Sequence, residues 1–192
     1  MKRYSEKLFA IIILLFFNVI FSQNFYGTVQ KENGFILMSE KLNIEYYFKR
    51  VLENENEIEN LNQNQFEELK SAIKNYNFEN KNWTKTELGN NFLILKNDKK
   101  NILSKDSIII YSSKNNLSKI ETNNIWKKVK RYNENVNEWR HFPISLSEVI
   151  YSFDKKLAMI LINRGNSGGS LDVYENINDN WILIDKIYRW SH

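Results

Sequence analysis

Apolar residues are unevenly spaced along this chain, and the spacing changes character from one end to the other. Leu8 to Phe21 is a fourteen-residue apolar block interrupted only by Asn18. Gln23 to Glu32 then reads as a short lead-in, and Gly34 to Ser39 as a brief apolar run. Leu42 to Leu52 fits two patterns. Ile44, Tyr47, Phe48, Val51 and Leu52 share a helical face, whereas Leu42, Ile44, Tyr46 and Phe48 alternate as in a strand. The length of the run, and its passage into Glu/Asn-rich sequence, favour helix. Glu53 to Gln65 is polar and reads as a connector. Phe66, Leu69, Ile73 and Tyr76 fall on one face of an amphipathic helix, which Asn75 to Asn82 ends. Phe92 to Leu95 and Ser107 to Tyr111 are short apolar runs between polar turns and predict strands. A further helix is expected from Thr122, as N-cap, to about Asn133. Its inner face is Ile125, Trp126, Val129 and Tyr132.

The last third of the chain reads as β-structure. Glu148 to Phe153, Leu157 to Ile162, Ser170 to Tyr174 and Trp181 to Tyr188 are strand-like. The turns Asp154–Lys156, Gly165–Gly169 and Asn176–Asn180 separate them. Turns at such regular intervals indicate an antiparallel meander. The expected fold class is therefore α+β, with N-terminal helices packed on a C-terminal antiparallel β-meander. Its core face draws on an alternating selection from Ile150, Leu157, Met159, Leu161, Leu171, Val173, Trp181, Leu183 and Ile187.

The apolar block at the start has a different meaning. Lys2, Arg3 and Lys7 precede it, diluted only by Glu6, and the small residue Ser22 follows it. It is shorter than the roughly 20 residues a spanning helix needs. A positive start, an apolar run of this size and a small residue at its end describe a secretory signal peptide. Cleavage is expected between Ser22 and Gln23, so that 1–22 is the signal and 23–192 a single exported domain. The destination is the periplasm or the medium, with no membrane span after signal removal.

Export changes how charge is read. The whole chain has 27 basic and 23 acidic side chains; residues 23–192 keep 24 and 22, or +2. A near-neutral surface gives no bulk case for nucleic-acid binding. There is no cysteine, which excludes disulfides, thiol nucleophiles, Cys-ligated zinc and iron–sulfur clusters. No cofactor and no metal are implied. Asparagine is the unusual residue at 29 copies. It accompanies Lys, Ile, Tyr and Phe, all with AT-rich codons, and clusters in the predicted turns.

Residues 120–192 carry a recurrent arrangement. A Trp-bearing helix is followed by a strand ending Phe153-Asp154-Lys155-Lys156, then Ala158 in an apolar strand. A glycine-rich loop, Asn180-Trp181 and a closing strand ending Arg189-Trp190-Ser191 complete it. This stretch resembles the C-terminal module of small exported proteins of Bacteroidota-type bacteria, a group with no activity attached to it. The resemblance implies architecture and export and transfers no catalytic residue. Many such proteins have cysteines around the glycine-rich loop; this chain has none.

Three clusters invite a chemical reading. Gly165-Asn166-Ser167-Gly168-Gly169 resembles the nucleophile loop of trypsin-like serine proteases, where backbone N–H groups form an oxyanion hole. The one upstream histidine, His141, lies only 26 residues before Ser167, so the loop reads better as a hairpin turn using glycine's positive φ. Trp139-Arg140-His141, with Glu148 and Asp154 downstream, offers groups for acid–base work. A lone histidine in that context is more often a backbone-bonded structural residue. Lys127, Lys128, Lys130 and Arg131 beside Trp126 and Tyr132 suggest a phosphate track, but read better as the solvated face of an amphipathic helix. Carboxylates such as Glu67, Glu68, Asp179 and Asp185 form no metal or glycosidase pattern.

The leading expectation is a non-catalytic binding module with a protein or small-molecule partner in the cell envelope. The alternative is a small hydrolase or lyase with a pocket between sheet and helices. A third reading is a secreted effector, or its inhibitor, acting on another protein.

Overall fold

The structure, a computed structural model, describes residues 24–34, 36–53, 60–76, 82–95, 103–134, 143–165 and 167–191. The proposed signal segment, Trp139, Arg140, His141 and His192 lie outside the described residues.

Residues 24–33 are helical and form α1. This replaces the lead-in expected there. Phe25, Tyr26 and Val29 are buried at helical spacing. Phe25 makes edge-to-face contacts with Tyr26, Tyr174 and Trp181, at 5.7, 5.2 and 5.2 Å between centroids. Three buried residues in a polar segment are too few to announce a helix; tertiary packing stabilises it. Strand β1 (Ile36–Met38) follows, then α2 (Ile44–Glu53), which decides the ambiguous stretch for helix. Helix α3 (Gln63–Lys74) starts at a capping box, with Asn62 Oδ1 accepting from Gln65 N and Gln65 Oε1 from Asn62 N. Its buried face is Phe66, Leu69 and Ile73, as expected.

A short helix, α4 (Lys85–Leu88), leads into β2 (Leu93–Leu95). Helix α5 (Lys105–Lys114) occupies the stretch expected to be a strand at Ser107–Tyr111. The run Ile108-Ile109-Ile110 suggested β-structure, but Ser104 caps a helix by accepting from Ser107 N. Ile108, Tyr111 and Ser112 then turn inward together. Ile109 and Ile110 are left 48 % and 57 % exposed. Helix α6 (Lys119–Glu134) begins earlier than expected, capped by Ser118. Glu121 N donates to Ser118 Oγ and Ser118 N donates to Glu121 Oε2. Thr122 is thus inside the helix, donating from Oγ1 to Ser118 O. Ile125 and Val129 are buried and Trp126 is half-buried.

Strands β3 (Ile144–Leu146), β4 (Ile150–Tyr151), β5 (Leu157–Arg164), β6 (Gly169–Ile177) and β7 (Asn180–Trp190) complete the sheet. The order is β2-β1-β3-β5-β6-β7, with β4 also paired to β5. The chain is α+β, and β5, β6 and β7 do form an antiparallel meander. The sheet as a whole is mixed, however, because β1 runs parallel to both β2 and β3. That corrects the purely antiparallel expectation. Sequence adjacency could not show that a three-residue strand from the helical half would join the meander's edge.

The expected core residues divide between two faces. Leu157, Met159 and Leu161 join Ile150, Leu171, Val173 and Ile187 beneath α2 and α3. Ala158, Ile160 and Ile162 join Tyr174 and Trp181 beneath α1, with Leu183 packed against that cluster. A continuous apolar run such as Leu157–Ile162 is what a strand covered on both faces requires. A third cluster joins Ile36 and Leu93 to Ile108, Tyr111, Ile125 and Val129 of the α5–α6 pair.

Candidate functional site

Polar chemistry is concentrated in four places. The first is the β5–β6 turn carrying Ser167. Gly165 and Gly168 have φ of 52° and 98°, which glycine adopts without strain. Ser167 is exposed, and its N–H donates to Arg164 O at 2.9 Å; Arg164 N donates to Gly168 O at 2.8 Å. The glycines also have a packing reason. A Cβ on Gly169 would lie 2.5 Å from Trp190 Cη2, and closer still to Ile162 O. The glycine pair therefore makes room for Trp190 of β7, whose ring stacks on Tyr47 at 4.9 Å.

The second is a buried ion cluster joining the segment after β1 to α4 and the β3–β4 link. The Lys41 ammonium, 4 % exposed, bonds Glu87 Oε1 at 2.6 Å and also bonds Glu148 Oε1. It sits 4.7 Å from the centre of the Trp83 ring. Burial alone would push the lysine down, but its bonds to Glu148 and Glu87 hold it above its ordinary value. Burial would raise Glu87; its bonds to Lys41 and Thr84 hold it below its ordinary value instead. Burial pushes the neighbouring Tyr26 phenol well up.

The third cluster is built on β5 and β6. Asp172 is fully buried and receives Arg164 at 3.2 Å and Lys186 at 3.5 Å. Arg164 also donates to Ser170 Oγ at 2.9 Å and Asn33 Oδ1 at 2.8 Å. Tyr174 donates to Glu32 at 2.7 Å, and burial, then that carboxylate, push its phenol far up. The two ion clusters tie α1, α4 and the strands together, one cation between two carboxylates in the first and one carboxylate between two cations in the second.

The fourth is a cleft of about 260 Å³ between β2, the α4–β2 turn and α5. Phe92, Leu93, Ile94 and Leu103 give it an apolar floor; Asn90, Asn115, Lys114, Ser107 and Tyr111 give it polar groups. Tyr111 OH donates to Asn91 O at 3.1 Å and accepts from Gln30 Nε2 at 3.2 Å. Tyr111 and Asn115 also line a second cleft, which extends over Ile125, Asn124 and Lys128 of α6. These two clefts are the candidate functional site.

Among the sequence-predicted residues, Ser167 is thus placed on an exposed turn and the α6 cations on an exposed helix face. Arg140 and His141 lie outside the described residues. Sequence reasoning missed Lys41, Glu87 and Tyr111, because their partners are brought in from distant elements. Asp172 could have been suspected, since a carboxylate alternating with Leu171 and Val173 in a strand must point into the opposite face. Among the described residues no group of three His, Cys, Asp or Glu could hold a metal ion. No protein-family model matches the chain, and neither the curated proteins nor the solved structures give a match.

Proposed function

We propose that this chain is an exported, non-catalytic binding module that meets its ligand or partner on the α5–α6 side. The observation that carries the reading is the composition of the cleft between β2 and α5. Its described lining contains neither a histidine nor a carboxylate. Histidine and the carboxylates are the commonest general acid–base groups, and the one carboxylate lining the second cleft, Glu121, is engaged with Ser118 in the α6 cap. What the lining offers is an apolar floor with amide, hydroxyl and ammonium groups, which suits recognition. The buried ionisable groups Lys41 and Asp172 are engaged in holding elements together.

The test has two arms. The purified chain is assayed against chromogenic ester, phosphate, glycoside and peptide substrates. No turnover is expected; turnover lost in Tyr111→Phe or Lys114→Met would replace this reading with the hydrolase alternative. Fractionation and mass analysis of the expressed chain then test export, with a mature N-terminus at Gln23 expected.

A further inference from the structure

Charge is not spread evenly over this chain. Residues 105–134, which are α5, α6 and their connector, hold seven basic and three acidic side chains, a net of +4. Residues 23–192 carry +2 in total, so everything outside this hairpin sums to −2. Two of the three acids are already occupied. Glu121 accepts from Ser118 N at 2.8 Å and Ser118 Oγ at 2.6 Å in the helix cap. Glu134 pairs with Lys130 at 3.5 Å. Among the described residues Lys119, Lys127, Lys128 and Arg131 have no ion-pair partner.

The same hairpin exposes apolar bulk. Ile109, Ile110 and Ile120 are 48 %, 57 % and 74 % exposed, three of seven such large apolar side chains among the described residues. A single exposed isoleucine needs no explanation. Here, however, Ile120 shares a stripe with Lys127 and Arg131, seven and eleven residues on, opposite the buried Ile125 and Val129. The surface is therefore cationic and apolar together.

We propose that the outer face of the α5–α6 hairpin docks on a bilayer surface rich in anionic lipid. Ile120 enters the headgroup boundary while Lys119, Lys127, Lys128 and Arg131 meet the lipid phosphates. This rests on the reading of the α5–α6 side as the binding side. A nucleic acid would satisfy the cations but give exposed isoleucines nothing to do, and Trp126 is turned inward rather than offered for base stacking. Each cation near an anionic surface contributes about a fivefold gain in binding.

The full chain is sedimented with vesicles of phosphatidylcholine alone, and of phosphatidylcholine with about one-third phosphatidylglycerol. Lys2, Arg3 and Lys7 beside the Leu8–Phe21 block also respond to lipid charge, so the hairpin is reported by the part of the difference between the vesicles that its own substitutions remove. Binding is expected to be about 20-fold or more tighter on the anionic vesicles and to fall steeply with salt. Lys127→Gln with Arg131→Gln should remove about 20-fold of it, and Ile120→Ser several-fold, with unchanged melting. Equal binding to both vesicles, or indifference to the double substitution, overturns the proposal. So does equal affinity for a duplex oligonucleotide that Ile120→Ser leaves unaltered. If vesicle binding fails and the substrate panel stays silent, only the membrane claim falls; turnover would remove the binding-module reading itself.

Discussion

Replacing Gly169 by alanine tests the packing at the centre of the β-meander. The added methyl would lie 2.5 Å from Trp190 Cη2, and nearer to Trp190 Cζ2 and Ile162 O. The ring can swing away, but Ile162 O belongs to the β5–β6 ladder, where Ile162 pairs with Ser170 and Asn163 with Gly169. Overpacking of this kind costs about 1–3 kcal/mol. Displacing Trp190 also breaks its 4.9 Å stack on Tyr47, an aromatic pair of the sort worth about 0.5–1.5 kcal/mol. The sum is about 1.5–4.5 kcal/mol, or a fall in Tm of about 10 °C for a chain of this size. Thermal unfolding followed by circular dichroism measures it. In a Trp190→Ala background Gly169→Ala should cost less than in the parent, but not nothing, because the clash with Ile162 O remains. Ser167→Ala, on the exposed turn two residues away, should stay within about 0.5 kcal/mol of the parent. A Gly169→Ala chain melting within about 2 °C of the parent would refute the claim that the glycines exist to admit Trp190.

Other outcomes follow from the ion clusters and phenols. Lys41→Met should cost about 2–3 kcal/mol by urea unfolding, less than a fully buried break because Glu87 and Glu148 are 37 % and 26 % exposed and can rehydrate. The Glu87 carboxyl is held below its ordinary value of 4.5, so its contribution is present above that value and fades as pH falls below it. Glu87→Gln should flatten the acid limb of a stability-versus-pH curve, and an unchanged limb would contradict the assigned pairing. Tyr26, Tyr111 and Tyr174 are all raised, chiefly by burial, above the ordinary value of 10.0. Their neutral forms stabilise the fold below that pH, and stability is lost as pH rises beyond it. A phenolate absorbance titration should therefore leave these tyrosines silent until the chain unfolds. Asp172→Ala leaves Arg164 and Lys186 without their shared carboxylate and should cost about 2–3 kcal/mol, measured by urea unfolding.

Much of the candidate site was beyond reach of the sequence for a definite reason. The cleft combines Phe92 and Asn90, near β2, with Tyr111 and Asn115, near the end of α5. Sequence patterning treated both stretches as separate strands, so no pocket could be built from them. Ser107–Tyr111 reads as a strand because it is a short apolar run between polar turns, whereas the structure makes it part of α5. β-propensity is context-dependent, and here a cap and an inward-facing Ile108, Tyr111 and Ser112 override it.

Local pattern by itself determined what short-range physics controls. The i, i+3, i+7 spacing of Phe66, Leu69 and Ile73 required α3, and Asn178–Asp179, with φ of 52° and 63°, made the two-residue turn between β6 and β7. The cations of α6 were legible as a solvated face because Ile125 and Val129 had to face inward. Only the tertiary structure decided what depends on long-range contact. It made residues 24–33 a helix by placing Phe25 among Tyr174 and Trp181. It set β1 parallel to β3, turning a meander into a mixed sheet. It also clasped Lys41 between glutamates 46 and 107 residues away. Such pairings follow from how the whole chain closes on its core, and no window along the sequence contains both partners.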